Sequence, residues 1–109
     1  MREYTPTLIG NAALRVVPGD PRVMVGNRRA ILPPQELALL ELFIRDPSRI
    51  LNTATLAKLL RHDAKPLSAI TVAVHVHRLR KRLRPIGLTI RTFRGIGYAL
   101  DCAAGDAPR

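Results

Sequence analysis

The sequence predicts an α+β fold: an N-terminal antiparallel sheet, three helices and a C-terminal hairpin. Three observations carry that expectation. Residues 8–32 alternate strand-length apolar runs with turn punctuation. Residues 33–84 change to helical recurrence of the apolar positions, and residues 88–100 return to two β-like runs around Gly95 and Gly97. A chain of 109 residues fits one domain, with a core made from its 47% hydrophobic residues. With no Trp and only two Tyr and two Phe, that core is aliphatic.

Taken in order, "MREYTPT" (1–7) and "CAAGDAPR" (102–109) read as flexible ends, leaving a domain at 8–101. "LIG", "AALRVV", "RVMV" and "AIL" are strand-length runs, separated by the turn signals "PGDP" and "GN", and give three or four antiparallel strands. "PPQELALLELFIRDP" is a broadly apolar helix through Leu37, Leu40, Leu42, Phe43 and Ile44. Pro34 suits its first turn, Glu36 its positive end, and Asp46-Pro47 its termination. "NTATLAKLLR" is a second helix, with Asn52 as N-cap and Leu56, Leu59 and Leu60 as its buried stripe. A third helix runs over 68–84 from the candidate cap Ser68 to the stop at Pro85-Ile86-Gly87. "LTIRTFRGIGYAL" closes the chain as a hairpin.

Charge narrows the function. Eighteen Lys+Arg against eight Asp+Glu leave +10 at pH 7, and fifteen of the eighteen cations are Arg. Such a balance fits a polyanion: DNA, RNA or an anionic membrane. Arg suits bidentate recognition of phosphate and guanine better than Lys does. The single Cys102 excludes an internal disulfide and gives no redox or zinc pattern. No apolar run approaches the ~18 residues of a membrane span, and a secretory signal pattern is missing, so the expected location is cytoplasmic.

The excess is concentrated in "ITVAVHVHRLRKRLRPIG" (70–87), where five cationic residues occupy positions 78–84. Asp63 and Asp101 are consecutive acids along the chain, so the 37 residues between them hold none. At about 100° per residue, Val72, Val76, Leu79 and Leu83 fall in one narrow arc, the core face. Ile70, Thr71, Val74, His77, Arg78 and Lys81 collect opposite it; Arg80 and Arg84 lie on one flank, His75 and Arg82 on the other. An ordinary solvated helix would carry acidic partners three or four residues away and few outward apolar groups. Cations on the rims with apolar groups between them suit a major groove, where phosphates flank a floor that includes thymine methyls. Basic amphipathic helices also bind membrane surfaces, but here the apolar arc is needed for the core.

These residues resemble a known family. "ITVAVHVHRLRKRL" followed by "IRTFRGIGYAL" is similar to the C-terminal effector domain of OmpR/PhoB-type response regulators of two-component systems, a winged helix-turn-helix. Thr71, Val72, Val74, His75, Arg78, Leu79, Arg80 and Lys81 match the family's recognition-helix pattern, and Arg94, Gly95, Gly97 and Tyr98 its wing. "LPPQELALLELFIRDPSRILNTATLAKLL" is similar to its first two helices, so the resemblance covers roughly residues 8–101.

The resemblance implies a sequence-specific double-stranded DNA-binding transcriptional regulator. Its recognition helix (68–84) would enter the major groove and its wing (88–100) the adjacent minor groove. Arg78 would read base edges, with Thr71 and Val74 nearby and Lys81 on the same face. His75, His77, Arg80 and Tyr98 would contact phosphate or sugar, Arg94 would enter the minor groove, and Thr92 would support it on the backbone. Family activators often touch RNA polymerase through the loop equivalent to 61–67. The charge of +10 favours a monomer in solution, and the resemblance favours pairing on tandem half-sites about one helical turn apart. Typical members also carry a receiver domain of about this length ahead of the effector domain, so these residues correspond either to an excised effector domain or to a stand-alone regulator controlled by other means.

This sequence departs from the family pattern in several places. Ala73 stands where Asp is usual, Ile70 where a polar or basic residue is common, His77 where Arg is frequent, and Arg61-His62 where Trp-Gly is common. The operator therefore cannot be copied from a relative.

Other classes fit less well. The acids are scattered, with Asp20, Glu36, Glu41 and Asp46 at turns or on helix surfaces, and no carboxylate pair or nucleophile motif supports an enzyme. His75 and His77, two residues apart on a helix, point to different sides, so neither a metal site nor a cofactor is expected. The alternative is a basic RNA-binding or ribosome-associated structural module. Single-stranded RNA platforms need stacking aromatics, and Tyr4, Phe43, Phe93 and Tyr98 form no paired set on one strand.

Overall fold

The computed structural model describes residues 6–47, 49–61 and 65–103. Strands β1 (Thr7–Ile9), β2 (Ala12–Val16), β3 (Arg22–Val25) and β4 (Arg28–Ile31) form an antiparallel meander in the order β1-β2-β3-β4. Helices α1 (Pro34–Ile44), α2 (Thr53–Leu59) and α3 (Ala69–Leu83) follow, then a 3-10 turn at Arg84–Ile86. Strands β5 (Leu88–Phe93) and β6 (Gly97–Cys102) make the terminal hairpin, from Leu88 opposite Cys102 to Phe93 opposite Gly97. This is the predicted order of elements.

Local chemistry sets the helix ends. Pro34 takes the first turn of α1, where its missing N–H costs nothing. The Asn52 side chain accepts from Thr55 N–H at 2.7 Å, and the Ser68 hydroxyl accepts from Thr71 N–H at 3.1 Å. Each such cap stabilises its helix by about 1 kcal/mol. Val72, Val76, Leu79 and Leu83 of α3 are fully buried against α1, α2 and β5, as their spacing requires. Complete burial of a Val or Leu side chain is favourable by about 1.5–3 kcal/mol, so this seam is what fixes α3. Leu39, Leu40 and Phe43 of α1 and Ile9, Leu14 and Val23 of the sheet complete the same core.

Several expectations need correction. Thr7 pairs with Leu14, and Cys102 with Leu88, so the paired strands reach one residue beyond 8–101 on each side. Ala103 N–H also donates to the Gly87 carbonyl at 2.9 Å, and 1–5 and 104–109 of the expected flexible ends lie outside the described residues. Leu59 is exposed rather than buried, because the two-turn α2 presents only the Leu56/Ala57/Leu60 arc to the core. Leu39, in contrast, is fully buried. Glu36 is no surface residue either: it is the one buried charged group among the described residues, and it is held by Arg82 from α3.

The hairpin is fastened to the helices at its root. Tyr98 N–H donates to the Leu51 carbonyl at 2.9 Å, and Leu51 N–H donates to the Tyr98 carbonyl at 2.8 Å. Gly97 is required there, because a Cβ would collide with the Leu51 carbonyl and sit 2.7 Å from Asn52 Cα. Gly95 serves a different need: its φ of +78° lies in the left-handed region that the tip turn demands.

Candidate nucleic-acid interface

α3 presents two clean faces. Opposite the buried seam, Ile70 is 78% exposed and Val74 40% exposed, with His77, Arg78 and Lys81 exposed beside them. Among the described residues neither Arg78 nor Lys81 has a side-chain hydrogen bond or ion pair, so both charges are available to a partner. Thr71 is half-buried, its hydroxyl 2.9 Å from that of Ser68, and so belongs partly to the helix cap. His75 is half-buried on the flank, with Nδ1 enclosed and unpartnered among the described residues. Any outside partner of that ring must therefore meet Nε2.

The flanking arginines have acceptors that the sequence alone did not reveal. Arg80 Nε donates to the Ile90 carbonyl at 2.8 Å, and Arg80 Nη2 donates to Thr92 Oγ1 at 2.9 Å. It is thus a strut from α3 to β5. On the other flank Arg82 Nε donates to Glu36 Oε1 at 2.6 Å, tying α3 to α1. Arg82 remains about half exposed while Glu36 is buried. Between them, these two contacts hold α3 from both sides.

The hairpin places its own groups beside the helix. Arg94 is exposed in the tip turn, next to Gly95 and to Ile96, which is 60% exposed. Thr92 is exposed and accepts from Arg80. Tyr98 is half-buried against the core, with its backbone engaged by Leu51. Arg91 is occupied within β5–β6, 3.3 Å from Asp101 and 5.3 Å over the Phe93 ring. Thr71, Val74, His77, Arg78 and Lys81 therefore share the outer aspect of α3, with His75 and Arg80 on its two flanks, while Thr92, Arg94 and Tyr98 lie on the hairpin. Sequence reasoning passed over Ile96, whose signal was an apolar residue between two turn glycines, and Arg29 of β4, whose partner element is remote in sequence.

No helix among the described residues is long and apolar enough to cross a membrane. A short β-sheet, a helix-turn-helix made by α2 and α3, and a hairpin beside the second of those helices define a winged-helix domain. The family model for "Transcriptional regulatory protein, C terminal" matches residues 27–100. The chain belongs to this family, the effector domains of OmpR/PhoB-type response regulators, and is a DNA-binding domain of a transcription regulator rather than an enzyme.

It is 33% identical over 96 residues to the response regulator protein PmrA of Pseudomonas aeruginosa, covering 88% of this chain and 42% of that protein. It is 32% identical over 104 residues to the phosphate regulon transcriptional regulatory protein PhoB of Escherichia coli, covering 90% of this chain and 45% of that protein. The chain thus spans less than half the length of these relatives. The DNA-binding domain of Klebsiella pneumoniae RstA, solved in complex with the RstA box, shares the fold at TM-score 0.68 and 24% identity, over 90% of this chain and 98% of that one. These relatives do not favour the RNA-binding or ribosome-associated alternative.

Proposed function

We infer that the domain recognises a specific double-stranded DNA sequence, with α3 in the major groove and the β5–β6 wing at the adjacent minor groove. One observation carries this reading: the outward face of α3 combines Arg78 and Lys81, unpaired among the described residues, with exposed Ile70 and Val74. That is the mixture of donors and methyl-contacting groups that base edges require. Arg78 reads base edges with Thr71 and Val74 beside it; His75, His77, Arg80 and Tyr98 meet phosphate or sugar; Arg94 enters the minor groove, with Thr92 supporting it. The RstA–RstA box complex supports DNA as the partner. The protein acts in the cytoplasm, where the DNA is.

Selection from random DNA with the purified domain, followed by salt titration on the selected site, tests this. Four to eight phosphate contacts give a log–log slope of about −4 to −7. Replacing Arg78 by Ala costs about 1–3 kcal/mol of binding and relaxes preference at one or two base pairs. A slope near zero, or a motif unchanged in Arg78→Ala, overturns the docking.

The same reading includes a monomer in solution that pairs on tandem half-sites, because a charge of +10 opposes self-association until a duplex neutralises it. Sedimentation without DNA and stoichiometry on the selected site test the two halves. It also includes a contact with RNA polymerase through the loop 61–67, of which residues 62–64 lie outside the described residues. Transcription in vitro with Arg61→Ala, at saturating DNA occupancy, tests that contact.

A further inference from the structure

β4 is an edge strand of the meander and packs beside the C-terminal half of α3 and the 3-10 turn. Between them runs an open cleft whose walls carry Arg29 and Ile31 from β4, Arg78, Lys81 and Arg82 from α3, and Pro85. Its charges are almost all of one sign. Arg82 is balanced by Glu36, whereas Arg29, Arg78 and Lys81 have no ion pair among the described residues. No acid occurs between Asp63 and Asp101 to compensate them. The floor is apolar and open, with Ile31 58% exposed.

We propose that this cleft seats a second stretch of DNA phosphate backbone, with Arg29 of the N-terminal sheet as its anchor. The proposal rests on the major-groove docking above. A groove about 12 Å wide is bordered by two phosphate strands, so a helix lying in it turns one flank to each. The Arg80 flank is followed by the wing. The Arg82 flank is followed by β4, and Arg29 is the unpaired cation that β4 adds to the cleft. Arg78 and Lys81 belong to both the outer face and the cleft wall, so the cleft continues the base-reading surface without a break. Three uncompensated cations over a small apolar floor suit an anion, and one exposed Ile is too little apolar surface for a stable protein interface.

The test uses Arg29→Ala and Arg29→Glu on one selected half-site and on the tandem pair of half-sites, with wild type and Arg78→Ala as references. Both Arg29 variants are expected to fold, since the side chain is exposed. Loss of one phosphate contact lowers the salt slope by about 0.9 and weakens binding roughly three-fold or more at low salt, equally for all sequences. Arg29→Glu weakens binding further. Trimming the duplex on the side away from the wing abolishes the difference between Arg29→Ala and wild type. If wild type binds and Arg78→Ala relaxes the motif, but Arg29→Ala leaves slope and affinity unchanged, the cleft proposal is wrong while the docking stands. If Arg29→Ala affects only the pairing of two copies on tandem sites, the cleft is a contact between proteins, and the proposal fails equally. If wild type shows no duplex binding, the docking itself has failed.

Discussion

Arg80 separates a structural role from a DNA-contacting one. Its guanidinium makes two intramolecular hydrogen bonds, one to the Ile90 carbonyl at 2.8 Å and one to the Thr92 hydroxyl at 2.9 Å. A hydrogen bond from a charged donor contributes about 1.5–3 kcal/mol when well shielded. Arg80 is only half-buried, and water recovers part of what is lost, so Arg80→Ala is expected to cost about 1–3 kcal/mol of unfolding stability. Thr92→Val removes one acceptor and costs about 0.5–1.5 kcal/mol. Because the two share a bond, the double variant loses less than the sum, with a coupling of about 0.5–1.5 kcal/mol. Arg80→Lys keeps the charge but cannot span both acceptors, and so also loses stability. Urea unfolding reads these values from the midpoint at constant slope, with Lys81→Ala, within about 0.5 kcal/mol of wild type, as the exposed reference. On DNA, Arg80→Ala weakens all sequences and also blurs preference on the wing side, since Thr92 lies two residues from Arg94. An Arg80→Ala variant as stable as Lys81→Ala, with an additive cycle, would refute the strut.

Three further outcomes follow from other contacts in the fold. Arg82→Ala strands the buried Glu36 carboxylate and costs about 1–3 kcal/mol, while the joint replacement of Glu36 and Arg82 by Leu recovers most of that loss in urea unfolding. Gly97→Ala forces backbone against backbone at Leu51 and Asn52 and costs about 1–3 kcal/mol, measured by thermal unfolding. Three hydrogen bonds from Arg22, two from its side chain and one from its backbone N–H, hold the Asp20 carboxyl down to about 2. That folded value lies below the unfolded one, so the contribution of Asp20 is complete above the ordinary carboxylate range and is lost as pH falls toward 2. NMR titration should place its midpoint near 2 and move it up toward the ordinary range in Arg22→Ala, which removes the side-chain bonds and keeps the backbone one.

The parts legible in the sequence were those decided locally. The Ser68 cap, the stop at Pro85 and Gly87 and the four-residue seam all act within one helix, the first two through residue type and the seam through spacing. The wing was legible because its turn needs Gly95 and its root needs Gly97. What escaped was pairing between elements. Glu36 and Arg82 lie 46 residues apart, so an acid at the start of one helix and a cation near the end of another carried no shared signal. Arg80 looked like its exposed neighbours because periodicity places a side chain on a flank without saying what packs there. Leu59 looked buried because a short helix of Leu and Ala does not reveal how wide an arc its partner covers.

The cationic run of α3 therefore divides into two working groups. Of the five cationic residues at 78–84, Arg80 and Arg82 are bonded inward to β5 and α1, and Arg78, Lys81 and Arg84 point outward. The inward pair lies on opposite flanks, so the helix is held against rolling in either direction before any ligand arrives. Rolling by a single residue step, about 100°, would move Arg78 from the outer aspect to a flank. A helix fixed in this way presents its outer side chains in register with a groove, and association spends little of its free energy on ordering them. The excess of Arg over Lys serves both tasks. A planar, multiply donating guanidinium can bridge a carbonyl and a hydroxyl as Arg80 does, and the same geometry makes Arg78 a reader of base edges.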